Sequence, residues 1–330
     1  MTSAVRFTHP GPPRVLHLTD VARPSPAPDE VRIAVRAAGI NNADLLERRG
    51  QYPVPPGAPP GLGLECAGII SGVGADVVGW HIGDEVIALL AGGGYAEEVV
   101  APAAQVMPKP QSLTMIEAAA LPEVACTVYS NLAMIAGVRR GQTVLVHGGA
   151  GGVGSFAVQW AAAIGARVVT TAGSPSKTEA ALTLGAYTAI NYRTDDFVTE
   201  TLRETGGVGV DAILDVVGAP YFERNLQCLA PDGHLVIIGG SAAPTTLDLW
   251  ALMSRRASVS ATLLRGRPAA QKALIVAGVA RDVLPLVDAG AIRTVVDSVF
   301  PLSEASRAHE LLEEGRTVGK VVLEIEPTSW

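Results

Sequence analysis

Leu145-Val146-His147-Gly148-Gly149-Ala150-Gly151-Gly152-Val153-Gly154 decides how the chain is read, because an apolar run ends there in closely spaced glycines and then enters a helix-like segment. Gly149, Gly151 and Gly154 satisfy the spacing G-x-G-x-x-G. Glycines let the backbone turn tightly and let main-chain amides approach a pyrophosphate, and the helix that follows points its positive end at that anion. The glycines alone are a weak signal, since a plain turn can be rich in glycine. The strand before them and the helix after them make the segment a dinucleotide loop.

Working outward, apolar strands alternate with amphipathic helices: Thr143 to His147, Val153 to Ile164, Arg167 to Thr171, Ser176 to Leu184, and on in the same rhythm to His234–Ile238. Parallel strands need crossover connections, so this alternation predicts an α/β fold with a parallel sheet and helices on both faces. A site preferring NAD carries Asp or Glu about 20 residues past the loop to hold the adenosine ribose. Here that region reads Arg167-Val168-Val169-Thr170-Thr171-Ala172-Gly173-Ser174-Pro175-Ser176-Lys177, with no carboxylate. Ser174 and Lys177 suit a ribose 2′-phosphate instead, which makes NADPH the expected cofactor.

Upstream, Val31, Ile33, Val35 and Ala37 alternate with charged or small residues, as in a strand with one buried face. Pro53, Pro55, Pro56, Pro59 and Pro60 crowd a stretch that must be a loop, and Cys66 to Gly74 and Glu85 to Ala91 read as further strands. Thr114-Met115-Ile116-Glu117 forms a capping box ahead of alanines, predicting a long helix. Beyond Ser258 come a helical region (Pro268 to Ala289), a strand (Val295 to Phe300), a helix (Glu304 to Glu314) and an apolar run, Val321 to Ile325. Pattern alone leaves open whether that last run rejoins the N-terminal strands.

At 330 residues the chain suggests two domains, or one with a large insertion. It is 48% hydrophobic with a mean hydropathy of +0.31, enough to form compact cores. A net charge of −7 and the absence of a basic stripe argue against nucleic acid as a partner. Cys66, Cys126 and Cys228 are too few and too far apart for a disulfide framework or a zinc lobe, so a reducing compartment, the cytoplasm, is expected. Met1 to Pro13 lacks the apolar stretch of a secretory signal and no window reaches membrane-spanning length, so no membrane association is expected.

These residues carry a resemblance from Val31 to Ile325. Gly39-Ile40-Asn41-Asn42-Ala43-Asp44, Gly50-Gln51-Tyr52-Pro53, Gly61-Leu62-Gly63-Leu64-Glu65, the glycine loop, Ile190-Asn191-Tyr192-Arg193, Asp215-Val216-Val217-Gly218, Thr262-Leu263-Leu264-Arg265 and Arg307-Ala308-His309-Glu310 are the matching segments. Together they resemble the zinc-independent quinone oxidoreductases of the medium-chain dehydrogenase/reductase superfamily. Gly50-Gln51-Tyr52, Ala91-Gly92-Gly93-Gly94 and Leu263-Leu264-Arg265 are similar in particular to the tumour-suppressor-induced branch. The resemblance implies a GroES-like β-rich catalytic domain (1–122 and 265–330), an inserted Rossmann doubly wound sheet (123–264) and a homodimer. Zinc-dependent relatives place a cysteine where Asn41 stands and a histidine where Leu64 stands, and a four-cysteine lobe after Gly79; none is present, so no metal is expected and alcohol oxidation is disfavoured.

Carried over residue by residue, the resemblance puts Asn41 and Tyr52 at the acceptor, where both can donate hydrogen bonds to a carbonyl. Thr127 is expected at the nicotinamide ribose, Gly151, Gly152 and Val153 at the pyrophosphate, and Gly173, Ser174, Lys177 and Tyr192 at the adenosine end. Val217, Gly239, Gly240, Leu263, Leu264 and Lys320 would enclose the nicotinamide. Asp44 reads as a loop anchor, Glu65 as a structural remnant of a zinc-containing ancestor, Cys126 as a buried thiol, and His147 as a structural histidine bonded to main chain. Three functions follow: reduction of a quinone by NADPH; reduction of an activated C=C bond in an enal, enone or enoyl-thioester, with Tyr52 as the visible proton donor; or binding of NADPH without catalysis. The quinone, or a related small electrophile, is the expected partner. Comparing KM for NADPH and NADH in wild type and Lys177→Ala tests the cofactor assignment: the preference should move toward NADH, and an unchanged ratio removes Lys177 from the argument.

Overall fold

The computed structural model describes residues 1–240 and 243–326. They form two compact units, one of Met1–Cys126, Arg265–Gly290 and the chain from Thr294 onward, the other of Thr127–Leu264 with Ala291–Arg293.

The first unit begins with an antiparallel ribbon of β1 (Thr2–Arg6) and β2 (His17–Val21). Next come β3 (Glu30–Ile40), α1 (Asn42–Arg48), β4 (Glu65–Val73), β5 (Glu85–Leu89), β6 (Glu98–Pro102) and β7 (Val106–Pro108). Period-2 patterning is realised on β3, where Val31, Ile33, Val35 and Ala37 are buried while Arg32, facing the other way, donates to Ser71. The proline-rich stretch is a loop without regular elements.

The capping box forms as expected: the Thr114 amide donates to Glu117 Oε2 at 2.9 Å and the Glu117 amide to Thr114 Oγ1 at 3.3 Å. The helix is short, however. α2 (Met115–Ala119) stops before Pro122, which lacks an amide hydrogen and instead opens α3 (Pro122–Val128); a π-helical turn, Tyr129–Ile135, follows.

In the second unit, β8 (Thr143–His147), α4 (Gly152–Ala163), β9 (Arg167–Ala172), α5 (Pro175–Thr183), β10 (Thr188–Asn191), α6 (Phe197–Glu204) and β11 (Val210–Asp215) fall on the predicted segments. α7 (Phe222–Cys228), β12 (Leu229–Ile237), α8 (Leu249–Arg255) and β13 (Ser258–Ala261) complete it. The six strands are all parallel in the order β10-β9-β8-β11-β12-β13. The order reverses between β8 and β11, and in such sheets ligands bind beyond the strand ends at that reversal.

The chain then returns to the first unit with α9 (Ala269–Asp282), α10 (Leu284–Asp288), β14 (Val296–Pro301), α11 (Ala305–Glu313) and β15 (Lys320–Glu324). β15 pairs antiparallel with β3, Val321 opposite Ile40 and Glu324 opposite Ala37, which answers the question that pattern left open. The sheet runs β14-β15-β3-β4-β5-β7, with β6 also on β3. Val321, Val322 and Leu323 are fully buried, so the late strand is part of the core of the early ones. Leu323→Ala is expected to lower unfolding free energy by about 3 kcal/mol, measured by urea denaturation, because it hollows that shared core.

Candidate active site

In the second unit the glycine loop lies where β8 meets α4, and its geometry accounts for each glycine. A Cβ at Gly149 would sit 2.0 Å from Thr170 Oγ1, and one at Gly154 would sit 2.1 Å from the carbonyl oxygen of Gly148. At Gly151, the N-cap of α4, a Cβ would meet only Gly148 O at 3.4 Å, so the face above the helix start is open. The helix is twelve residues long and begins at Gly152 and Val153, which leaves amides free to meet a phosphate.

A buried polar network ties this loop to its neighbour. His147 Nε2 lies 2.7 Å from Asn225 Oδ1 and Nδ1 lies 3.0 Å from Thr171 Oγ1, so its partners are side chains and not the main chain expected from sequence. Burial lowers its pKa to about 4, and it stays neutral. Asn225 Nδ2 donates to Asp215, which in turn accepts the Val217 and Gly218 amides. Val217 is therefore held by the end of β11. Gly240 has φ +91° and passes so close to Val217 that a Cβ would lie 2.1 Å from its carbonyl oxygen, while at Gly239 a Cβ would meet nothing within 4 Å.

At the end of β9, Ser174 caps α5, its Oγ accepting the Lys177 amide at 3.3 Å, with the Lys177 side chain half-buried at that helix start. A Cβ on Gly173 would lie 2.5 Å from Tyr192 Oη, so glycine is what allows the phenol to lie against the strand end; Tyr192 is 43% exposed. The structure thus brings Gly173, Ser174, Lys177 and Tyr192 together. Asn131, in the π-helical turn, donates to Thr127 O and accepts from Thr262 Oγ1, both at 2.7 Å, which ties buried Thr127 to the segment of Leu263 and Leu264. Leu264 is buried and Leu263 is 53% exposed. These surfaces fit a dinucleotide: open amides at a helix start, room beside the glycines, and Ser174 and Lys177 at the start of α5.

In the first unit the central group is Glu65, fully buried on β4. Its Oε1 lies 2.7 Å from Lys320 Nζ and accepts from Asn41 Nδ2 at 2.8 Å; its Oε2 accepts the Glu123 amide at 2.9 Å. Lys320 also donates to Ile40 O and Asn41 Oδ1. Lys320, expected beside the nicotinamide, is thus committed inside this unit, and Asn41 offers its amide to Glu65 and its carbonyl to Lys320. Gly39 is required here, since a Cβ would lie 2.3 Å from Glu65 Oε1. Among the described residues no three His, Cys, Asp or Glu side chains come together as a metal site, and the Lys320 ammonium takes the place beside Glu65 that a cation would need. The residues do not fit a zinc ion.

Asp44 anchors the same loop, as its sequence position suggested. It accepts the Asn41 amide at 2.8 Å, the Gly63 amide at 3.0 Å and the Tyr95 hydroxyl at 3.1 Å. Burial outweighs these donors and raises its pKa to about 6. Tyr95 Oη lies 3.2 Å from His309 Nε2, and Arg48, ion-paired with Glu313, reaches His309 Nδ1 at 3.3 Å. Burial and the two neighbouring arginines hold His309 down at about 3. Tyr52 lies in the proline loop with the Arg265 guanidinium 5.7 Å from its ring centre. Its phenol is pushed up to about 12 by burial and then by Glu123. Arg265 Nη1 pairs with Glu47 at 2.5 Å. Sequence reading missed Glu123, Arg265, Tyr95 and Lys272 as members of this group. Only Arg265 stood in a noted segment, and an acid at the start of a helix ordinarily belongs to the surface.

Comparison with known proteins agrees with this geometry. Residues 27–111 match the alcohol dehydrogenase GroES-like domain and residues 184–323 a family described as zinc-binding dehydrogenase. A quinone oxidoreductase of Pseudomonas aeruginosa is 35% identical over 325 residues, spanning 98% of this chain and 99% of that protein. A 2-haloacrylate reductase of Burkholderia is 32% identical over 91% of this chain and 92% of its own length. The crystal structure of Escherichia coli quinone oxidoreductase complexed with NADPH superposes with a TM-score of 0.86 at 34% identity, covering 98% of this chain and 99% of that one. A structure described as an NAD-dependent alcohol dehydrogenase superposes with a TM-score of 0.86 at 35% identity, over 99% of this chain and 100% of the other.

Gly154→Ala forces its methyl onto backbone atoms that cannot yield. It is expected to weaken binding of the nicotinamide nucleotide at least about tenfold, the scale of one lost charge-assisted hydrogen bond, with the fold retained. Calorimetric titration beside a thermal unfolding curve checks both.

Proposed function

Because the chain belongs to the medium-chain dehydrogenase/reductase superfamily and is an oxidoreductase with a nicotinamide cofactor, we propose that it carries reducing equivalents from NADPH to a quinone. The observation that carries the cofactor choice is the end of β9, where no carboxylate stands and Ser174 and Lys177 meet at the start of α5. The quinone acceptor is supported by likeness to quinone oxidoreductases over nearly the whole chain.

When bound, the reduced nicotinamide supplies a hydride. The chain's own part is positional. Amides at Gly152 and Val153 hold the pyrophosphate, Gly151, whose own amide is spent on Gly148 O, gives it room, and Gly173 and Tyr192 line the adenosine side. Thr127, Val217, Gly239, Gly240, Leu263 and Leu264 exclude water from the nicotinamide. Tyr52 donates a hydrogen bond to the acceptor carbonyl. Asn41 lines the same place, its amide oriented by Glu65 and Lys320. Lys320 acts through Asn41 and not by touching the nucleotide.

A homodimer is part of the reading. β13 is an open edge of the parallel sheet, and α8 beside it buries none of its residues, leaving Trp250 74% and Met253 62% exposed. Pairing two such edges covers both liabilities at once.

Reduction of activated C=C bonds is the second reading, favoured by the carboxyl of Glu123 and by the likeness to the haloacrylate reductase. Following NADPH oxidation with 1,4-benzoquinone, 9,10-phenanthrenequinone, an alkenal and crotonyl-CoA in parallel separates the two. Rapid turnover of quinones is expected; tight NADPH binding with no turnover of any acceptor would refute both readings.

A further inference from the structure

Glu123 opens α3 with a carboxyl that makes no hydrogen bond to any described residue, although its own amide is bonded to Glu65. Charged and titratable groups face it from every side: Glu65 on β4, Asp44 on α1, Lys320 on β15, Lys272 on α9, Arg265, the Tyr52 phenol, and Cys126 one turn further along α3. None of the cations among them bonds its carboxyl: Lys320 sits on Glu65, Arg265 pairs through Nη1 with Glu47 while its Nη2 bonds no described residue, and Lys272 Nζ lies 3.5 Å from the carbonyl oxygen of Arg265. The charges of Lys320 and Arg265 pull the Glu123 carboxyl down, but by less than burial and Glu65 push it up.

Two carboxyls therefore occupy one neighbourhood, and the donors go to Glu65. Such an asymmetry favours the proton on the carboxyl that has no donors. Burial, followed by repulsion from Glu65, raises the Glu123 carboxyl to about 8. It is protonated at neutral pH and close enough to neutrality to give the proton up. Tyr52, the donor visible in sequence, is held at about 12 and is the weaker acid of the two.

Building on the reductase reading above, we propose that Glu123 is a catalytic proton donor to the acceptor bound beside Tyr52. With an activated C=C bond, the β carbon receives the hydride of NADPH and forms a C–H bond. The π electron pair moves toward the carbonyl, the Glu123 O–H bond breaks, and its proton forms the C–H bond at the α carbon. The alkene gains two electrons and two hydrogens, NADPH becomes NADP⁺, and the Glu123 carboxylate regains a proton from water. A quinone makes less use of this group, because its reduced oxygens take protons from water directly.

The test combines a measurement on the protein alone with one on turnover. Infrared difference titration of the nucleotide-free protein should show a protonated carboxyl at pH 7 that ionises near pH 8, and Glu123→Gln should remove that signal. In wild type, kcat/KM for an alkenal should fall as pH rises through about 8, since the donor form exists only below that value. Glu123→Gln should abolish this alkaline limb and lower alkenal turnover about 100-fold at pH 7, with a much smaller loss for quinones, while Glu123→Asp restores part of the rate and a limb at its own position. The proposal is overturned if the infrared signal is absent, if Glu123→Gln keeps the limb and the rate, or if wild type reduces quinones but no alkene. If wild type oxidises NADPH with no acceptor whatever, the reductase reading itself fails, a result the infrared titration does not depend on.

Discussion

Glu65 is the group on which the first unit is organised. A carboxylate with no exposure to water is tolerable only with a counter-charge and hydrogen bonds, and leaving it unpaired would cost several kcal/mol. Its partners come from three places far apart in sequence: Lys320 from β15, Asn41 ahead of α1, and the first turn of α3. Satisfying one acid thus fastens the late strand, sets the orientation of Asn41, and brings Glu123 into place with no hydrogen bond to its carboxyl among the described residues. Gly39 is the steric condition for all of this, because any side chain there would occupy the carboxylate's position.

Both units hold their functional loops by the same device. Asp44 gathers the amides of Asn41 and Gly63, and Asp215 gathers those of Val217 and Gly218. Behind each stands a neutral, buried histidine: His309 through Tyr95, and His147 through Asn225. Burial pulls both imidazoles well below their ordinary range, so these networks keep one protonation state across neutral pH and act as fixed scaffolding. A rigid backbone near a reacting centre maintains alignment without reorganisation.

Much of the second unit could be read directly from sequence, because each strand and helix there carries its own periodicity and the glycine loop has a local steric signature. β13 escaped notice: four residues, Ser-Val-Ser-Ala, on a half-exposed edge carry too little pattern to register. The long helix expected after Thr114 failed at Pro122, where the capping box was legible but its consequence was cut short five residues later. Residues of the first unit's acceptor group were the hardest to see. Glu123, Arg265 and Lys272 matter through proximity across the fold, and no spacing in the sequence announces that a helix-opening acid will lie beside a buried one. Asn41 and Tyr52 were visible only through resemblance, which said nothing of Lys320 being spent on Glu65.

The pairing of β3 with β15 has a consequence for how the protein is made. Residues 30–40 leave the ribosome long before residues 320–324, and the whole parallel sheet is synthesised in the interval. The nucleotide unit has every strand it needs by residue 261 and can condense while translation continues. The earlier unit must wait with an unfilled sheet edge and with Glu65 lacking its ammonium. A nascent chain of this design matures from the middle outward, and its first-made strands are the last to become safe from aggregation.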